Sequence, residues 1–160
     1  LCNNLPDTIS GLHRVLKVDG LLMFSTFGPD TLKELREAFR DVDGYNHTNR
    51  FADMHDIGDM LMASGFSGPV TEMETITLTY GDVKGMMQDL RAIGAHNVTT
   101  GRPQGLMGKS AWNRILQNYD RLRQQGRVPA TFEVIYAHAW KLPPKQVADG
   151  RAIIRTPFRL

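Results

Sequence analysis

Leu21-Leu22-Met23-Phe24-Ser25-Thr26-Phe27, with Gly20 before it and Gly28 after it, is the stretch on which the interpretation of this chain depends. It is an apolar run without regular polar alternation, which is typical of a β-strand buried on both faces, as in a parallel sheet. Apolar residues upstream recur at helical spacing: Ile9, Leu12, Val15 and Leu16. A helix, a short turn and a buried strand form half of an α/β repeat.

Two further strands and four further helices are predicted downstream. Ile76, Leu78 and Tyr80 alternate with threonines within residues 71–80, and residues 131–140 alternate in the same way, so both segments have the period of a strand. Helical spacing predicts helices from about Pro29, over 53–64, from 81 to about 92 and over 109–125. The predicted fold class is α/β, with about three strands (21–27, 71–80 and 131–140) and about five helices.

Three strands make a thin sheet, and an edge as apolar as residues 21–27 should not stand free. The sequence therefore indicates a part of a larger sheet, or a chain that pairs with a partner, for example as a dimer through the open sheet. We expect one domain over residues 1–142 and an irregular basic tail over 143–160.

Composition excludes several functional classes. The chain has 160 residues with 41% hydrophobic residues and a formal net charge of +2, which is too small to argue for nucleic-acid binding. No apolar run approaches the ~20 residues of a membrane span. Cys2 is the single cysteine, which fits a reducing compartment and predicts a cytoplasmic protein.

Short motifs do not name a reaction. Gly108-Lys109-Ser110 resembles the end of a phosphate-binding loop, but Pro103 stands where that loop requires glycine. The sequence contains no G-x-G-x-x-G turn, and no two histidines are spaced four residues apart on a helix, so neither a dinucleotide fingerprint nor a metal site is expected. The residues alone leave the catalytic residues unknown.

Several longer stretches together resemble a known family. Residues 12–20, LHRVLKVDG, are similar to the helix-to-strand segment of class I methyltransferases, which depend on S-adenosylmethionine. FSTFGPDTLKEL (residues 24–35), NRFADMHDIG (49–58), DLRAIGA (89–95) and PATFE (129–133) resemble the family of malonyl-acyl carrier protein O-methyltransferases of biotin synthesis. The resemblance spans about residues 1–140.

This resemblance implies that residues 1–142 are a C-terminal portion of a Rossmann-like fold, in which the last strand inserts antiparallel between the other two. It also implies that residues 81–126 form a helical insertion on the substrate side. It implies methyl transfer from S-adenosylmethionine to the free carboxylate of malonyl-acyl carrier protein, with the acyl carrier protein as partner. The glycine-rich turn and the acidic residue that hold the cofactor in this family belong to its first half. Binding of S-adenosylmethionine by this chain alone is therefore not expected to be tight.

Candidate site residues follow from the resemblance and from charge. Phe27 and Gly28 end a strand where such sheets hold ligands, so both are candidate cofactor contacts. Arg102, Arg91 and Lys109 are candidates for binding the malonyl carboxylate or the carrier's phosphate, because cations in this region suit either group. Basic residues on the fifth helix could steer an acidic carrier protein: Arg114, Arg121 and Arg123. Solvent-exposed surface charge is the alternative for each cation.

Two other functions remain open on the sequence. A complex I assembly factor of the same superfamily, whose relatives modify arginine, shares the Phe-Gly-x-Asp-Thr-Leu and Pro-Ala-Thr stretches. A non-catalytic remnant that binds a partner through its open sheet is the alternative from another class.

Overall fold

The computed structural model describes residues 4–40, 42, 51–92 and 108–144. The elements follow in the order α1 (Leu5–Val15), β1 (Leu21–Phe27), α2 (Lys33–Phe39), α3 (Met54–Ala63), β2 (Ser67–Tyr80), α4 (Val83–Ala92), α5 (Lys109–Asp120) and β3 (Val128–Trp140). Within this part of the chain, the predicted α/β class with three strands and five helices is confirmed.

The last strand lies in the centre of the sheet. β3 pairs antiparallel with β1 on one edge and antiparallel with β2 on the other, which gives the strand order β1-β3-β2. Two strands that both run antiparallel to a third are parallel to each other. The carboxyl ends of β1 and β2 therefore lie toward the same end of the sheet. β2 extends further than β1, because Phe27 pairs with Val134 whereas Tyr80 pairs with Val128.

Two hydrophobic clusters lie on opposite faces of β3, because successive side chains of a strand point to opposite faces. Val128, Ala130 and Phe132 belong to the first cluster, together with apolar residues of α2, α4 and α5. Ile135, Ala137 and Ala139 belong to the second cluster, which is completed by residues of α1, β1 and α3. The core therefore changes face along the central strand.

The expectation that β1 is buried on both faces is wrong for the described residues. Leu22 is 8% exposed and packs in the second cluster, whereas Met23 is 70% exposed. Tyr136 and Trp140 of β3 lie on the same face as Met23 and are also exposed. The physical reason is that the second cluster covers one face of β1, and no described element covers Met23 on the other.

Four predicted boundaries differ from the observed ones. The second helix begins at Lys33 and not near Pro29, because residues 28–32 form a turn in which Leu32 has a left-handed φ of 55°. The fifth helix ends at Asp120, before a tight turn that links Gln124 to Arg127 by two backbone hydrogen bonds of 2.8 and 2.9 Å. β2 and β3 begin earlier than predicted, at Ser67 and Val128, because backbone pairing with the neighbouring strand extends both strands.

The start of α3 has a capping box. The Asp53 carboxylate accepts hydrogen bonds from the backbone N–H groups of His55 and Asp56, both at 2.8 Å. The Asp56 side chain in turn accepts from the Asp53 N–H at 3.4 Å. These contacts satisfy donors that a helix start otherwise leaves without partners, so the acidic residues here are explained by capping.

None of the described helices is long and apolar enough to cross a bilayer.

The burial of β3 predicts that two comparable side-chain truncations lower the free energy of unfolding by different amounts. Ile135→Ala removes a fully buried side chain, at 0% exposure, from the second cluster and should lower the free energy of unfolding by about 2–5 kcal/mol. Met23→Ala, on the exposed face of β1, should change it by less than about 0.5 kcal/mol. Urea unfolding followed by circular dichroism measures both. Equal losses would contradict the assignment of the two faces.

Candidate functional site

An apolar groove lies at the end of the sheet toward which the carboxyl ends of β1 and β2 point. It has a volume of about 480 Å³ and is bounded by side chains of all three strands and of α4. The lining residues are Phe27, Ile76, Leu78, Tyr80, Asp89, Leu90, Ala92, Phe132 and Val134. The strand residues share one face, because Ile76 pairs with Phe132 and Phe27 pairs with Val134. Open α/β sheets bind ligands at the carboxyl ends of their strands.

Two polar side chains meet at this groove. Tyr80 and Asp89 both line the groove, and partial burial of Tyr80, followed by the negative charge of Asp89, raises the pKa of Tyr80 above its ordinary value. Tyr80 lies at the last position of β2, and Asp89 lies in the last turn of α4. The pair therefore lies between the end of the strand and the helix that forms one wall of the groove.

The turn after β1 is fixed by Glu133, a buried acidic residue of β3. Its backbone carbonyl accepts from the Gly28 N–H at 2.9 Å and from the Thr31 hydroxyl at 3.0 Å. Its carboxylate accepts from the Asp30 N–H at 2.7 Å. Burying a carboxylate is costly unless hydrogen bonds compensate, and here the backbone of the turn supplies such a bond.

A second carboxylate, from α2, completes this arrangement. Glu34 accepts hydrogen bonds from both the backbone N–H and the hydroxyl of Thr131. Arg36 donates to the carbonyl oxygens of Pro29 and Thr31, each at 2.6 Å. These contacts hold Leu32 in its left-handed conformation, which costs about 1–2 kcal/mol in a residue other than glycine. The turn clasp, as we call Gly28–Leu32 with Glu34, Arg36, Thr131 and Glu133, positions the end of β1.

Phe27 and Gly28 take different places relative to the groove. The Phe27 side chain is half-buried and lines the groove, with its ring centroid 5.9 Å from both Phe51 and Phe132. Gly28 is buried against Glu133: a Cβ placed there would lie 2.5 Å from the Glu133 Cδ atom. Since the Gly28 N–H is also bonded to Glu133, this residue positions Phe27 and does not offer its own N–H to a ligand.

The predicted cations are not brought together in the groove. Arg91 and Lys109 are exposed, at the end of α4 and the start of α5 respectively, and neither lines the groove. Arg102 lies outside the described residues. On α5, Arg114 is exposed, and Arg121 follows the helix and is exposed too. Arg123 donates to the carbonyl oxygen of Gly81 at 3.1 Å and pairs with Asp120, so it has a structural use in the turn before β3.

No group of three or more potential metal ligands occurs in the described segments 4–40, 42, 51–92 and 108–144.

The sequence did not predict most of the groove or the structural role of the turn clasp. The apolar face of β2 was visible as Ile76, Leu78 and Tyr80 alternating with threonines, but alternation does not tell which face stays uncovered. Glu133 and Glu34 stood inside stretches that resemble the family, without an assigned role. A buried acid in an apolar strand, preceded by Thr131, was the available signal for a structural hydrogen-bond network.

Comparison with known proteins gives high sequence similarity. The chain is 65% identical over 159 residues to a malonyl-[acyl-carrier protein] O-methyltransferase from Gallionella capsiferriformans, covering 99% of this chain and 55% of that protein. It is 59% identical over 155 residues to the protein of the same name from Laribacter hongkongensis, covering 52% of it. The chain thus spans about half the length of these curated relatives. No family profile matches the chain.

Structural similarity is consistent with this relationship. The YcgJ protein from Bacillus subtilis superposes with a TM-score of 0.51 at 10% sequence identity, over 88% of this chain and 59% of that protein. At that identity the likeness concerns the fold alone.

The order β1-β3-β2, with β3 antiparallel between two parallel strands, is the arrangement that the resemblance to class I methyltransferases implies for this chain. Its sequence similarity over nearly the whole chain is more specific than the fold. The chain is similar, over nearly its whole length, to about half of each of these malonyl-[acyl-carrier protein] O-methyltransferases.

The packing in the turn clasp predicts that a side chain at position 28 lowers the free energy of unfolding. Gly28→Ala would press against Glu133 and weaken its bond to the Asp30 N–H, so we expect a loss of about 1–3 kcal/mol in the free energy of unfolding. Gly58→Ala is the matched control, because a Cβ there meets nothing within 4 Å and alanine favours the helix. In a double-mutant cycle with Glu133→Ala, the two losses should be less than additive. Full additivity would show that Glu133 is not the contact.

Proposed function

We propose that the protein to which this chain belongs transfers a methyl group from S-adenosylmethionine to the free carboxylate of malonyl-acyl carrier protein, in biotin synthesis. The 65% identity to a relative of that name over nearly the whole chain carries the proposal. The groove at the carboxyl ends of β1 and β2 supports it, because ligands of such sheets bind at that edge. Methylation converts an anion into a neutral ester, which an apolar elongation site accepts at much lower cost.

The described residues fit part of a methyl-donor site. Bound S-adenosylmethionine supplies the methyl group, and we assign Phe27 as a contact that borders it. The Phe27 ring is half-buried, and the turn clasp fixes the backbone on its C-terminal side. Gly28 acts through that backbone, as a positioning residue. Rigid placement matters because methyl transfer is an in-line displacement, whose rate depends on the alignment of donor and acceptor.

Recognition of the substrate's negative charge is assigned to Arg102, with Arg91 and Lys109 as further candidates. An arginine can bind a carboxylate or a phosphate through two parallel hydrogen bonds. Arg91 and Lys109 are exposed at the ends of the two helices that separate β2 from β3 in the sequence. They are accessible to a carrier protein, and Arg114 and Arg121 extend the exposed positive charge for an acidic partner.

A chimera tests the proposed activity directly. The matching 159-residue segment of the Gallionella relative is replaced by this chain, and methyl transfer from labelled S-adenosylmethionine to malonyl-acyl carrier protein is measured. We expect transfer to the malonyl carrier and none to acetyl-acyl carrier protein, which lacks the free carboxylate. The relative without the segment is the control for background. A folded chimera that binds both reactants and transfers no methyl group would refute the proposal.

Substitution of Arg102 in the same chimera tests its assignment. Arg102→Ala should raise KM for malonyl-acyl carrier protein by about tenfold or more, because a charge-assisted hydrogen bond is lost, and should leave KM for the cofactor unchanged. Arg14→Ala, an exposed arginine of α1, is the matched control and should leave both constants within about twofold. An unchanged KM in Arg102→Ala would remove this residue from the substrate site.

The non-catalytic alternative has one observation in its favour. Met23, Tyr136 and Trp140 are large hydrophobic side chains exposed on one face of β1 and β3. A remnant that binds a partner through its open sheet, including a second copy of the chain, would use this face. An inactive chimera together with concentration-dependent dimerisation of the chain, abolished by Met23→Lys, would favour this function over methyl transfer.

A further inference from the structure

The groove at the end of the sheet is selective in the kind of chemical group it can accept. It crosses the sheet from Leu78 on β2, past Phe132 on β3, to Phe27 on β1, and these walls are apolar. Its volume of about 480 Å³ lies within the range of about 300–1,000 Å³ that is usual for small-molecule sites. A ligand here exchanges water for aliphatic and aromatic contacts, which favours an uncharged chain.

Charge around the groove argues against an anion. Asp89 is the ionisable acid in its lining, and no lysine, arginine or histidine occurs among the described residues that line it. A carboxylate or phosphate would lose its hydration and would meet the negative charge of Asp89. The malonyl carboxylate and the carrier's phosphate are therefore poorly suited to this surface.

The side chains of Tyr80 and Asp89 at the groove instead suit a ligand that donates a hydrogen bond. Asp89 lines the groove beside Tyr80, and its two carboxylate oxygens can accept hydrogen bonds from donors of a ligand. An amide N–H can supply such a donor without bringing charge. A neutral chain that alternates methylene groups with amides matches both the apolar walls and the Asp89 carboxylate.

We propose that this groove binds the neutral pantetheine arm through which an acyl carrier protein presents its thioester, with an arm amide N–H donating to Asp89. The inference rests on the proposed function, because that function supplies a carrier-bound substrate. The arm lies across β2, β3 and β1, so the thioester reaches the side of Phe27. The substrate's carboxylate lies outside the groove, where cations can bind it.

A titration of this chain with reduced pantetheine tests the inference without any methyl transfer. The chain carries ¹³C-labelled isoleucine, leucine and valine methyl groups, and their NMR shifts are followed. We expect saturable shifts at Ile76, Leu78, Leu90 and Val134, and none at Val70, which lies on the same face of β2 outside the groove. Malonate at equal concentration should leave the groove methyl groups unshifted.

Two lysine substitutions provide a matched comparison. Leu78→Lys places a charge in the groove and should weaken pantetheine binding by about tenfold or more. Val70→Lys should leave it within about twofold; the two residues are equally exposed, at 44% for Val70 and 45% for Leu78. Asp89→Leu should also weaken binding, and Asp89→Asn, which keeps an acceptor oxygen, should weaken it less. Backbone amide spectra of each variant establish that the fold is retained.

The outcomes separate this inference from the proposed function. Pantetheine shifts at the groove together with an inactive chimera would support the groove assignment and refute the activity. An active chimera whose affinity for the malonyl carrier is unchanged by Leu78→Lys would overturn the groove assignment alone. Malonate shifting the groove methyl groups in place of pantetheine would also overturn it.

Discussion

Backbone hydrogen bonding on both edges of β3 is the constraint on which the rest of the structure depends. Because β3 runs antiparallel to β1 and to β2, these two strands are parallel and their carboxyl ends lie toward the same end of the sheet. The same strand contributes even-numbered residues to one hydrophobic cluster and odd-numbered residues to the other. A shift of one residue in its register would exchange these faces and lose both clusters. The groove exists only where this register places Phe132 between Phe27 and Ile76.

The turn clasp shows how buried polar groups specify a turn. Thr31, Thr131 and Glu133 are buried, and in the described part of the chain every buried side-chain nitrogen and oxygen has a hydrogen-bond partner. Such a network contributes to stability only when complete, because one unpaired member leaves a desolvated group. The network therefore restricts the turn to the conformation that presents Phe27 at the groove. The hydrogen bonds of the turn clasp thus stabilise the backbone conformation at the end of β1, next to the groove that we assign to the ligand.

The uneven covering of the sheet relates the fold to the length of the relatives. Parallel strands in α/β proteins normally have helices on both faces. In the described part of this chain, the second cluster covers one face of β1, and Met23, Tyr136 and Trp140 remain exposed on the other. The chain also spans about half the length of its curated relatives. The face of β1 that carries Met23 is thus left uncovered by the described residues of a chain that matches about half of its relatives' length.

The sequence by itself determined the identity of the strands and helices, because apolar periodicity reflects local burial and needs no knowledge of distant residues. Leu21–Phe27 is a strand as its composition predicts, and the stretches around Phe27 and Thr131 carry the resemblance to the malonyl-[acyl-carrier protein] O-methyltransferases. Only the tertiary structure decided which face of β1 is exposed, why α2 begins at Lys33, and that Glu133 holds the turn after β1. Each of these depends on contacts between residues about 100 positions apart, such as Thr31 and Glu133, and a local pattern carries no information about such pairs. The groove belongs to the same category, since it forms only when three strands and α4 come together.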